Sequence, residues 1–188
     1  MRLFVALSIP EETRSSLAAL VSRLRLSCRT ARWVRMEGVH ITLKFIGETP
    51  AEKLQGIMAS LASIPRRDPI AVKFRGLAFF PDARRPRVLW AGIESGAGLA
   101  ALAEAVEASL AALGIAPETR KFSPHLTLAR FNSPRGLNHL QAAIEKAGAL
   151  EFGGATAQEF HLYQSVLKPG GAEYTQLATY SFAGREAE

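Results

Sequence analysis

Hydrophobic residues along this chain follow two rhythms, one of period two and one of period three to four, and the switches between them mark the elements. Residues 3–9 (LFVALSI) read as a strand, and Pro10 opens a helix whose apolar positions Leu17, Leu20, Val21 and Leu24 fall on one face. Residues 39–46 (VHITLKFI) alternate and are rich in β-branched side chains, so they read as a second strand. Thr49-Pro50-Ala51-Glu52 has the form of a capping box with proline at the first helical position. Leu54, Ile57, Met58 and Leu61 then give that helix an apolar face. After a loop bracketed by Pro65 and Pro69, residues 70–80 and 87–93 read as two strands joined by a turn rich in proline and arginine. Residues 98–113 form a helix with Leu99, Leu102, Val106, Leu110 and Leu113 on one side, stopped by Gly114. Pro124 precedes a strand at 125–131, and Ser133-Pro134 opens a helix carrying Leu137, Leu140 and Ile144. Two final strands are expected near 156–164 and 174–182.

These elements do not alternate strictly as strand and helix, which favours an α+β fold with two largely antiparallel sheets and helices outside. The order repeats coarsely, each half containing a strand that starts with a similar tetrapeptide and is followed by a helix. No linker or low-complexity stretch divides the 188 residues, so one domain, 1–188, or two small lobes sharing a core, is expected.

Composition narrows the class. The chain is 48% hydrophobic and 21% charged, the balance of a folded globular protein, and no apolar run approaches the roughly 20 residues of a membrane helix. The opening MRLFVALSIPEE lacks the cleavage-site pattern of a secretory signal. Cys28 is the single cysteine, which excludes an internal disulfide framework and a cysteine-based metal site. A cytoplasmic protein with no membrane partner is expected, with Cys28 an inert thiol and a monomer as the default state. The net charge of +6 favours anionic partners, and Arg84, Arg85 and Arg87 cluster, either as part of such a surface or as a solvated loop.

The candidate chemistry lies in two matching tetrapeptides, His40-Ile41-Thr42-Leu43 and His125-Leu126-Thr127-Leu128, which open the strands at 39–46 and 125–131. Side chains two apart in a strand share a face. Each strand therefore has an apolar face and a polar face carrying one imidazole and one hydroxyl. In-line displacement at a phosphodiester needs a base on one side of phosphorus and an acid on the other. Histidine, with an ordinary pKa near 6.5, supplies either form around neutral pH. Hydroxyls at Thr42 and Thr127 can donate to non-bridging phosphate oxygens. The rival use of two histidines, as metal ligands, lacks a third ligand on these strand faces, since Glu37 and Glu48 lie off the strand.

The chain also resembles a known family, the RNA 2′,3′-cyclic phosphodiesterases (2′-5′ RNA ligases) of the 2H phosphoesterase superfamily. The resemblance is carried by RLFVALSIP, HITLKFIGE, PRVLWAGIE, FSPHLTLAR and YQSVLKPGGAEY, and spans nearly the whole chain. It implies a bilobal α+β fold, two lobes with pseudo-two-fold symmetry flanking a central cleft, each giving it one His-x-Thr strand. It also implies hydrolysis of an RNA-terminal 2′,3′-cyclic phosphate to a 2′-phosphomonoester, with neither metal nor other cofactor. By the same resemblance His125 is the base that activates water, His40 is the proton donor to the leaving 3′-oxygen, and Thr42 and Thr127 bind phosphate. Arg130 matches a basic position just after the second motif, and is either a phosphate contact or a surface arginine; simple alternation turns it away from His125, so it reaches the cleft only if the strand ends or twists there. Lys44 shares the parity of His40 and Thr42, and either extends the positive cleft or is solvated. Phe45 and Trp33 are expected to pack in the core rather than to stack on a base, and His139 and His161 to be structural or surface residues. The expected partners are RNA ends bearing a 2′,3′-cyclic phosphate, and small cyclic nucleotides.

Alternatives are a ligase or a phosphodiesterase acting on another cyclic or 2′-5′-linked nucleotide, and a non-catalytic nucleotide-binding module. Gly96-Ala97-Gly98-Leu99-Ala100-Ala101 fits the dinucleotide-binding pattern Gly-x-Gly-x-x-Ala. It comes after an expected hairpin strand, which points to a tight turn into a helix rather than to a cofactor site.

Overall fold

The computed structural model describes residues 1–169 and 171–182. In chain order these form β1 (Arg2–Leu7), α1 (Glu11–Ser27), β2 (Arg32–Trp33), β3 (Ile41–Glu48), α2 (Leu54–Ala62), β4 (Ile70–Phe80), β5 (Val88–Ser95), α3 (Ala97–Ala111), β6 (His125–Arg130), α4 (Leu137–Ala147), β7 (Glu151–Ala157), β8 (Glu159–Lys168) and β9 (Gly171–Ser181). The strands make a four-stranded sheet in the order β3-β1-β8-β9 and a five-stranded sheet in the order β2-β6-β5-β4-β7, with every pairing antiparallel. The α+β expectation holds.

The helices cross between the two halves. α1 packs on α4 and β7, whereas α2 and α3 pack on each other, with α3 against β3 and α2 against β9. One hydrophobic cluster draws residues from both sheets and all four helices. Along β1, Leu3, Val5 and Leu7 are fully buried in it, as are Leu126 and Leu128 of β6.

Several local expectations are corrected. Thr49 does not cap a helix. Its hydroxyl donates to the Gly47 carbonyl at 3.2 Å, its backbone bonds the chain's first residue, and a 3-10 turn, Ala51–Lys53, precedes α2. The expected strand at 156–164 straddles two strands, because β7 ends at Ala157 and β8 begins at Glu159. β7 contains Gly153 and Gly154, which weaken its strand signal. The Gly-x-Gly-x-x-Ala segment lies between antiparallel β5 and α3, so there is no parallel β-α-β unit around it.

Candidate active site

The two motifs fold alike. β3 pairs with β1 and β6 with β5, and each pairing contains a bulge just beyond the threonine, with a second further along β3. Ala6 faces Thr42 while its neighbour Val5 faces Lys44, so Leu43 is skipped. Trp90 faces Thr127 while Leu89 faces Ala129, so Leu128 is skipped. A bulge places two consecutive residues on one side and so reverses the alternation beyond it. Lys44 and Ala129 are turned inward, and Phe45 and Arg130 return to the face that carries the histidine and threonine.

This settles two parity expectations against simple alternation. Lys44 is 2% exposed and does not line the cleft. Its Nζ donates to Glu107 Oε1 of α3 and to the Ala116 carbonyl, both at 2.7 Å. The same Glu107 oxygen accepts the backbone N–H of Glu118 at 2.8 Å. Lys44 thus ties β3 to the segment that leads to His125. Arg130 is exposed on the face that carries Thr127. Phe45, expected in the core, is 51% exposed, with its ring 6.0 Å from that of Phe4.

Each imidazole is held by the carbonyl two residues before it. His40 Nδ1 lies 2.7 Å from the Gly38 oxygen, and His125 Nδ1 lies 2.8 Å from the Ser123 oxygen. A carbonyl only accepts, so each Nδ1 carries a hydrogen and each Nε2 is left for proton transfer. Both tautomers are fixed in the same sense. The two rings also sense each other electrostatically, since His125 contributes to lowering the pKa of His40.

Their surroundings differ. His40 stacks on Phe4 at 4.7 Å and meets the edge of Tyr174 at 5.3 Å, and Phe4 in turn stacks on Tyr163 at 5.2 Å. Gly38 makes room for this cage: a Cβ there would sit 2.8 Å from the Tyr174 ring. Burial pushes the His40 pKa down to about 4, opposed by its hydrogen bond to Gly38. His125 is exposed, with the Trp90 ring 6.0 Å away and Gly92 opposite it. A Cβ on Gly92 would come within 2.5 Å of the Arg75 carbonyl, so only glycine fits beside His125.

Register extends the two faces into matched rows. In the first sheet Thr42, Ala6, His161 and Thr179 form one row, and Phe45, Phe4, Tyr163 and Gln176 the next. In the second sheet Ala78, Trp90 and Thr127 form one row, and Phe80, Val88, Arg130 and Arg32 the next. His161 is a structural residue, as expected: it is 4% exposed and its Nδ1 lies 3.0 Å from Thr179 Oγ1. His139 is exposed on α4, and Trp33 donates from its indole to the Cys28 carbonyl at 3.0 Å. Phe4, Trp90, Tyr163 and Tyr174 lie in segments that carry the family resemblance, but only strand pairing brings them to the histidines, and neither motif names them as site residues.

Among the described residues no three His, Cys, Asp or Glu side chains are grouped as metal ligands, and no helix is long and apolar enough to cross a membrane.

A family model described as LigT like phosphoesterase matches residues 7–90 and 93–174. An RNA 2′,3′-cyclic phosphodiesterase of Aeropyrum pernix is 39% identical over 77% of this chain and 82% of its own length. One from Methanocaldococcus jannaschii is 33% identical over 93% of this chain and 96% of its own. Among solved structures, a protein of Thermus thermophilus superposes with a TM-score of 0.80 at 33% identity, covering 99% of this chain and 100% of that one. E. coli LigT complexed with 3′-AMP superposes with a TM-score of 0.76 at 26% identity, covering 96% of this chain and 97% of its own.

Proposed function

Because this chain belongs to the LigT-like phosphoesterase family, we propose that it hydrolyses RNA-terminal 2′,3′-cyclic phosphates to 2′-phosphomonoesters by metal-independent acid–base catalysis between His40 and His125. The observation that carries this reading is the paired geometry. Two imidazoles with identically fixed tautomers, each with a threonine hydroxyl two residues on, come one from each sheet, near enough that His125 contributes to lowering the pKa of His40. The relatives named for this activity support the substrate.

In the proposed step His125 Nε2 takes a proton from water as its oxygen attacks phosphorus. The bond from phosphorus to the ribose 3′-oxygen breaks, and His40 Nε2–H delivers a proton to that oxygen. Thr42 and Thr127 donate to the non-bridging oxygens, and Arg130 adds positive charge from the same face as Thr127. Burial alone keeps His40 neutral near pH 7. The acid role therefore draws on the bound phosphate, whose negative charge close to the imidazole favours its protonated form. The whole chain, 1–188, acts as one catalytic domain of two lobes in this reading.

The test is direct. The purified protein, with EDTA present, is given an oligoribonucleotide ending in a 2′,3′-cyclic phosphate and, separately, 2′,3′-cyclic mononucleotides, and the product isomer is identified by NMR. A 2′-phosphomonoester is expected. A 3′-phosphomonoester would reverse the leaving group, loss of turnover with EDTA would introduce a metal, and no turnover on any substrate would leave a binding module.

A further inference from the structure

The outermost row of the second sheet places two guanidinium-bearing residues, Arg130 of β6 and Arg32 of β2, directly opposite each other. Like charges in that relation repel and cost stability. Among the described residues neither has a carboxylate within 4.0 Å, although Arg14, Arg35 and Arg75 elsewhere do. Both side chains are exposed, and both share the face of Thr127. The arrangement is thus left open toward an anion.

Its place relative to the reacting phosphate is set by the strand. Arg130 is three residues beyond Thr127, with one residue taken up by the bulge, so it stands about 7 Å along β6, on the scale of one nucleotide step. Arg32 lies one strand further out, on β2, the edge of the sheet. Trp33, the next residue of β2, faces the other side of the sheet with Ala129 and lines a groove with Arg25, Leu26, Arg29 and Ala31, so these two arginines lie round the edge from Arg32. Cations that continue past the sheet edge beside an exposed apolar surface match how proteins hold single-stranded nucleic acid. The first sheet presents the aromatic row of Phe45, Phe4 and Tyr163 at the equivalent level, with no cation in it.

We propose that Arg32, paired with Arg130, binds the phosphodiester on the 5′ side of the terminal nucleotide, so that the RNA strand leaves the cleft over β2 and round its edge toward Arg29 and Arg25. The site takes a phosphodiester of a polynucleotide, and it makes the protein prefer an RNA end over a free cyclic nucleotide. This inference rests on the cyclic phosphodiesterase reading above.

The experiment compares kcat/KM for a 2′,3′-cyclic mononucleotide and for an oligoribonucleotide with the same terminal nucleotide, across a salt series. The wild type is expected to favour the oligonucleotide, with log kcat/KM falling by about 0.7 per decade of salt for each phosphate neutralised. Arg32→Ala is expected to lose about tenfold on the oligonucleotide, the scale of one charge-assisted contact. It should also flatten the salt dependence and fall clearly less on the mononucleotide. Arg32→Lys should restore most of the salt slope, because the charge is kept. Arg29→Ala should act in the same direction more weakly on long oligonucleotides only. Equal losses on both substrates, or no loss with Arg32→Ala, would overturn the proposal. If the wild type turns over neither substrate, the hydrolase reading fails by itself. Binding of a labelled oligonucleotide ending in a 2′-phosphate, monitored by anisotropy, then decides the role of Arg32 by the same salt criterion.

Discussion

The two His-x-Thr strands are built on one plan and then used differently. Both carry histidine, threonine and a bulge, and both fix Nδ1 on a carbonyl two residues back. Beyond the bulge the strands diverge. The first strand turns Lys44 inward to Glu107 and shows Phe45, whereas the second buries Ala129 and shows Arg130. His40 sits in an aromatic cage of Phe4 and Tyr174, and His125 stands exposed beside Trp90. A symmetric scaffold thus yields one half suited to an apolar surface and one suited to an anion, which is what an asymmetric substrate requires.

The comparison can be broken most forcefully at the histidines. His40→Ala and His125→Ala are each expected to lower kcat by about 10²–10⁴-fold, measured on a cyclic-phosphate substrate. Near-equal losses keep the two halves equivalent in weight. A loss in only one would reduce the other motif to scaffold.

The next effect concerns stability. Removing one partner of a fully buried ion pair costs about 3–5 kcal/mol. Glu107 is 27% exposed and keeps the Glu118 N–H, so Lys44→Met should cost less, about 2 kcal/mol, read from urea unfolding. An unchanged midpoint would mean that Lys44 is not the tie between β3 and the segment before His125.

A change of slope rather than of level is expected from pH. The His40 pKa is held at about 4 in the folded chain, below the 6.5 of the unfolded one. Between those values the unfolded chain binds the extra proton, so stability is fully present above pH 6.5 and declines as pH falls toward 4. His40→Asn should remove that part of the slope in chemical unfolding measured across pH.

How far the sequence foretells this site depends on the bulges. The strands, the helices and the pairing of histidine with threonine come from local periodicity. Beyond Thr42 and Thr127, one skipped residue on each strand reverses the parity, and no local pattern announces it. Simple alternation therefore puts Lys44 on the cleft face, yet it is buried, and turns Arg130 away, yet it lies on the face that carries Thr127. Two of the strands are illegible for other reasons: β2 has only two residues, and β7 is interrupted by glycines. The aromatic wall depends on pairing β1 with β8, which sets Phe4 opposite Tyr163 from the far end of the chain.

The central claim is that the two histidines divide the acid and base roles. It is tested most directly by the pH dependence of kcat in the wild type and in the two single alanine variants. A bell is predicted for the wild type, with loss of the acid-side limb in His125→Ala, where the base is gone, and loss of the alkaline limb in His40→Ala, where the acid is gone. An interchange of the two limbs would exchange the roles, and a full bell surviving in either variant would contradict the two-histidine mechanism.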